Sequence, residues 1–107
     1  MKNVNNEQDV LDTINNNTMT VVYFSGKDCG ACDVIKTKVE NILKYYPKIE
    51  NVEIDGEKNI ELSAQFNVFS LPIFLLYING KETLRIGRNV DLLELESKIK
   101  RYYNMLF

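Results

Sequence analysis

The only two cysteines of this chain, Cys29 and Cys32, stand three positions apart at the point where a strand pattern turns into a helix pattern. Upstream, Met19-Thr20-Val21-Val22-Tyr23-Phe24 is a nearly unbroken run of apolar and β-branched residues, expected for a strand buried on both faces. Ser25-Gly26-Lys27-Asp28 interrupts it. Beyond Cys32, the residues Ile35, Val39, Ile42 and Tyr46 recur at intervals of four, three and four, the spacing of one helix face. Two sulfurs at the start of a helix share a face and can close a small disulfide ring. The first also lies where unpaired backbone N–H groups favour negative charge, which stabilises a thiolate. Such an arrangement suits electron exchange better than structural bracing.

With 107 residues and 45% hydrophobic content, the chain has material for one core and no room for a second, so residues 1–107 are expected to form a single domain. A net charge of -2, with no cluster of Lys and Arg among aromatics, argues against nucleic acid or an anionic membrane as the main partner. The first residues, Met1 to Glu7, lack the apolar segment of a secretory signal. The apolar stretch Leu71 to Ile78 is far too short to span a bilayer. Two cysteines without a signal predict a reducing, cytoplasmic compartment, where a disulfide cycles rather than persists.

The order of elements follows from periodicity and punctuation. Glu7 to Asn15 places Val10, Leu11 and Ile14 on one side of a short helix that stops at Asn15-Asn16-Asn17. A strand is predicted over Thr18 to Ser25, then a helix that ends near Tyr45, ahead of Pro47. Val52 and Ile54 alternate with Glu53 and Asp55 in a second strand that stops at Gly56. A short helix follows with Ile60, Leu62, Ala64 and Phe66 as its apolar residues and Asn67 as a left-handed terminus. Asn79-Gly80 joins two further strand patterns, Pro72 to Ile78 and Lys81 to Ile86, as a hairpin. The last helix is predicted to begin near Asn89 as N-cap and to present Leu92, Leu95, Ile99, Tyr102 and Leu106 along one stripe. Two strands separated by a helix should be parallel and the hairpin antiparallel, which gives an α/β fold with a mixed sheet between helices. Tyr102, Tyr103 and Phe107 read as helix packing plus a terminal contact, and Glu94 and Glu96 as a solvated face. No long apolar stripe demands a partner copy, so a monomer is expected.

C-x-x-C beside a β-α-β pattern is a redox signature, and over nearly its whole length the chain resembles the thioredoxins. The residues that carry the resemblance are Val21 to Phe24 before Cys29-Gly30-Ala31-Cys32, the segment Phe66 to Pro72, the strand Ile73 to Ile78 with Asn79-Gly80, and Gly87 after the hairpin. The resemblance implies a thioredoxin-like fold, a central mixed sheet with helices on both faces. It also implies protein disulfide oxidoreductase activity without a bound cofactor, in an active-site loop that includes Lys27, Asp28, Gly30 and Ala31. Leu71, Pro72 and Gly87 would belong to a substrate groove, with the Leu71–Pro72 bond cis. Partners would be disulfide-containing proteins and a flavin-dependent reductase. Several positions depart from the family's pattern. Where the family reads Trp-Cys-Gly-Pro-Cys, this chain has Asp28 for the tryptophan and Ala31 for the proline. The family's buried aspartate is Tyr23, the lysine near it aligns with Asn51, and the proline that kinks the second helix is Thr37. Losing both charges together is physically consistent, because a buried charge without its partner costs several kcal/mol.

In the reduced protein Cys29, nearer the helix start and the more exposed, is the expected nucleophile, and Cys32 resolves the mixed disulfide. The helix amides and Lys27 favour the Cys29 thiolate, while Asp28 opposes it unless it turns to solvent or caps the helix. The family's aspartate moves the proton of the second cysteine; Tyr23, with an ordinary pKa near 10, is expected to leave that exchange to water. Ala31 frees a backbone N–H close to the sulfurs and should make the protein less reducing than its relatives. Zinc, the usual competitor for C-x-x-C, needs about four ligands, and the chain has no histidine and no third cysteine. The alternative function class is a binding or regulatory module on the same scaffold, using the altered surface at Asp28 and Leu71. Phe69 reads equally as core residue or partner contact, and Arg88 as a solvated arginine more readily than as an attractor of acidic substrates.

Overall fold

The apolar run before the cysteines becomes the central strand of a five-stranded sheet in the computed structural model, which describes residues 1–107. In chain order the elements are β1 (Lys2–Asn3), α1 (Glu7–Asn16), β2 (Met19–Ser25), α2 (Gly30–Leu43), β3 (Glu50–Asp55), α3 (Ile60–Gln65), β4 (Ile73–Ile78), β5 (Lys81–Ile86) and α4 (Leu92–Leu106). The sheet order is β1-β3-β2-β4-β5. β1 and β2 both run parallel to β3, β4 is antiparallel to β2, and β4 and β5 form the hairpin. The mixed α/β architecture expected from the sequence is therefore present.

Every residue of β2 is buried, and the pleat decides where each side chain goes. Met19, Val21 and Tyr23 enter a core with Val39 and Ile42 of α2 and Leu95 and Ile99 of α4. Val22 and Phe24 enter a second core with Val10 and Ile14 of α1 and Leu62 of α3. Helices thus cover both faces, which explains why the strand pattern is continuous rather than alternating. β5 is the opposite case: an outer strand whose Lys81, Glu82, Thr83 and Arg85 are exposed.

Local signals account for most of the boundaries. Asn6 caps α1, its side-chain oxygen accepting the Asp9 N–H at 2.9 Å. Asn67 has φ 57° after α3, and the hairpin turns on Asn79 at φ 50° and Gly80 at φ 82°. Three expectations need correction, and one strand was not expected. The N-cap of α4 is Asp91 rather than Asn89; its carboxylate accepts the Glu94 N–H at 3.1 Å, and Asn89 lies outside the helix. α2 ends at Leu43, with Lys44 and Tyr45 already in a turn ahead of Pro47. Ile60 opens α3 but is 72% exposed and belongs to no core. β1 carries no periodic signal at all, and its two residues become a strand only by pairing with Val52 and Glu53. No helix is long and apolar enough to cross a membrane.

Candidate active site

The chain leaves β2 at Ser25, crosses Gly26-Lys27-Asp28 and enters α2 with Cys29 as the N-cap residue, φ -121° and ψ 96°. Cys29 and Cys32 are joined as a disulfide, with their Cα atoms 5.3 Å apart. The Cys32 N–H donates to the Cys29 carbonyl at 3.1 Å, so the ring closes within one tight turn. Cys29 is 8% exposed and Cys32 0%, the order of accessibility that the helix start predicts. Lys27, Asp28 and Gly30 are exposed and Ala31 is half-buried. Asp28 does not cap α2, since that position belongs to Cys29.

A second loop reaches the same end of the sheet. Phe24, next to the last residue of β2, pairs with Ile73, so Pro72 just before it stands level with the start of the dithiol loop. Pro72 is buried, Leu71 is half-buried, and the bond between them is cis. A side chain at Gly87 would begin 3.9 Å from the Pro72 carbonyl, so Gly87 lies against that segment. Two arginines hold the loop, of which Arg85 is one that sequence reasoning did not place here. Arg85 donates to the carbonyls of Phe66 and Asn67 at 2.7 and 3.0 Å, and pairs with Glu82 at 2.7 Å. Arg88 donates to the Leu71 carbonyl at 2.8 Å; it is anchored, not merely solvated. Phe69 is 81% exposed and is not a core residue. With Leu71, Val68, Ala64 and Ile60 it borders a largely apolar cavity of about 270 Å³.

Beneath the disulfide, Tyr23 is fully buried and its hydroxyl donates to the Cys32 carbonyl at 2.8 Å. Burial first, and then the carboxylates of Glu53 and Asp33, push its phenol well above the ordinary value. Asn51 pairs with Val21 in the register, while Glu53 is the residue opposite Tyr23. This region has therefore not lost its charges altogether. Glu53 accepts from Ser25 Oγ and from Lys36 Nζ, both at 2.7 Å, and that hydrogen bond holds the Lys36 ammonium above its usual value. The Val52-Glu53-Ile54 alternation could have flagged this pair, because a carboxylate on a strand covered by helices needs a partner. No group of three or more His, Cys, Asp or Glu side chains is placed to hold a metal ion.

The comparisons with known proteins agree with this geometry. The thioredoxin family model matches residues 2–101. A thioredoxin-like protein of Bacillus subtilis, YdfQ, is 32% identical over 92 residues, covering 86% of this chain and 82% of the relative. Thioredoxin H8 of Arabidopsis thaliana is 30% identical, covering 100% of this chain and 72% of that one. The X-ray structure of Fasciola hepatica thioredoxin superposes with a TM-score of 0.82 at 31% identity, covering 94% of this chain and 98% of its own. With its disulfide-forming Cys29–Cys32 pair at the head of α2, the chain belongs to the thioredoxin family and is a protein thiol–disulfide oxidoreductase.

Proposed function

We propose that residues 1–107 act as one monomeric unit that reduces protein disulfides in the cytoplasm, with Cys29 attacking and Cys32 resolving. The Cys29 thiolate attacks one sulfur of the substrate disulfide; a bond between Cys29 and that sulfur forms, and the other sulfur leaves as a thiolate that takes a proton. Cys32 then gives up its proton and attacks the Cys29 sulfur. That step releases the second substrate thiol and leaves the Cys29–Cys32 disulfide, so two electrons have passed to the substrate. A flavin-dependent thioredoxin reductase, as the family resemblance implies, returns the dithiol. Leu71, Pro72 and Gly87 form the groove that receives the substrate backbone, and Lys27, Asp28, Gly30 and Ala31 form the rim it meets.

The asymmetry of the two sulfurs carries this reading. Cys29 sits at the open edge of the helix start, whereas Cys32 is sealed and can meet only a sulfur already joined to Cys29. Reduction of insulin disulfides tests it. Cys29→Ser is expected to abolish turnover, and Cys32→Ser to accumulate a mixed disulfide at Cys29 that dithiothreitol releases. Activity retained by Cys29→Ser would overturn the assignment and favour a binding role for the scaffold.

A further inference from the structure

The segment that delivers Cys29 is held by a carboxylate from the loop that follows β3, the strand parallel and next to β2. Glu57, in the turn between β3 and α3, accepts the Lys27 N–H at 2.6 Å through Oε1 and the Asp28 N–H at 3.2 and 3.3 Å through its two oxygens. Successive backbone N–H groups converging on one anion form a nest, and here the anion is the chain's own side chain. Its support is also fixed. The Glu57 N–H donates to Asp55 Oδ1 at 3.0 Å, and the Gly56 N–H donates to the Ser25 carbonyl at 2.7 Å. Gly26 completes the fit, because a Cβ there would begin 2.5 Å from Glu57 Cδ. Asp28 is the residue immediately before Cys29, so the clamp ends one peptide short of the attacking sulfur.

We propose that Glu57 is a positioning residue for Cys29, and that it sets how readily the dithiol is oxidised. The carboxylate takes up the two backbone donors that precede Cys29 in the chain, and it adds a negative charge beside them. Both effects disfavour a thiolate on Cys29 and so favour the disulfide. The proposal rests on Cys29 being the attacking sulfur.

The test is equilibration of the full chain with glutathione, dithiol plus oxidised glutathione giving the Cys29–Cys32 disulfide plus two reduced glutathiones. Glu57→Ala should lower the equilibrium constant for oxidation about five-fold or more. Gly26→Ala should do the same by displacing the carboxylate, since the group it meets is the end of a flexible side chain. Glu57→Gln, which keeps an acceptor without the charge, should fall between Glu57→Ala and the unsubstituted chain. A lowered melting temperature with the equilibrium constant within two-fold of the unsubstituted chain, in both Glu57→Ala and Gly26→Ala, would reduce the clamp to a structural brace and overturn the proposal. Failure of the unsubstituted chain to exchange with glutathione at all would instead remove the role of Cys29 on which the proposal stands.

Discussion

A tyrosine under the disulfide changes what that position can do. Its hydroxyl is committed to the Cys32 carbonyl and its proton is held tightly by burial and by the Glu53 and Asp33 carboxylates. A phenol held this way is a poor relay for the Cys32 proton, and water is the acceptor we expect in its place. Tyr23→Phe is therefore expected to leave the pH profile of single-turnover disulfide reduction in place, while destabilising the fold by about 1 kcal/mol because the buried carbonyl loses its donor. A titrating step near neutrality that disappears in Tyr23→Phe would refute this. The same phenol makes stability depend on alkaline pH. Below pH ~10 the folded and unfolded chains both keep the proton; as pH rises further, the unfolded chain releases it first, so stability falls. Tyr46 and Tyr77, raised mainly by burial, add to the loss in the same window. Urea unfolding at successive pH values should show this decline, shallower in Tyr23→Phe. Ala31 acts at the neighbouring position, in the first turn of α2, where backbone N–H groups have no partner within the helix. Ala31→Pro removes one such donor from beside the sulfurs and should shift the glutathione equilibrium toward the disulfide, giving a more reducing protein.

Between elements, the active-site end of the sheet is tied together by side chains reaching backbone carbonyls. Arg85 on β5 bonds the two carbonyls that follow α3 and so fixes the start of the loop leading to Pro72. Arg85→Ala is expected to cost about 1–2 kcal/mol and to weaken protein-disulfide reduction more than reduction of a small disulfide. Arg85→Lys should rescue little, because a single ammonium cannot reproduce the planar fork that meets both carbonyls and Glu82. Steady-state rates with insulin and with a small disulfide would separate the two effects. These ties also mark the limit of what the chain discloses before folding. The hairpin turn at Asn79-Gly80, the left-handed Asn67 and the sulfurs at the helix start were legible because each is a local signal with a local cause. β1 was not, since Lys2 and Asn3 gain strand geometry only from pairing with β3. Asn89 and Asp91 both suit an N-cap, and only the Asp91–Glu94 contact decides between them. Glu57 and Gly26 lie thirty-one residues apart, and nothing periodic links them.

At the scale of the molecule, the central sheet separates two cores that share its strands but few neighbours. Leu75 belongs to the face covered by α1 and α3, and Ile99 of α4 to the other. Leu75→Ala should destabilise by about 2–5 kcal/mol and Ile99→Val by about 0.5–1.5 kcal/mol. The two should add in the double variant to within about 0.5 kcal/mol, because they lie in separate cores on opposite faces of the sheet. Equilibrium denaturation gives all three values. The rim of the sheet has a different consequence. The charged side chains that β5 presents along its free border would have to be stripped of water before a strand from another molecule could dock there, and β1 offers only two residues of length on the opposite border. Edge-to-edge growth is thereby disfavoured at both borders while the molecule stays folded.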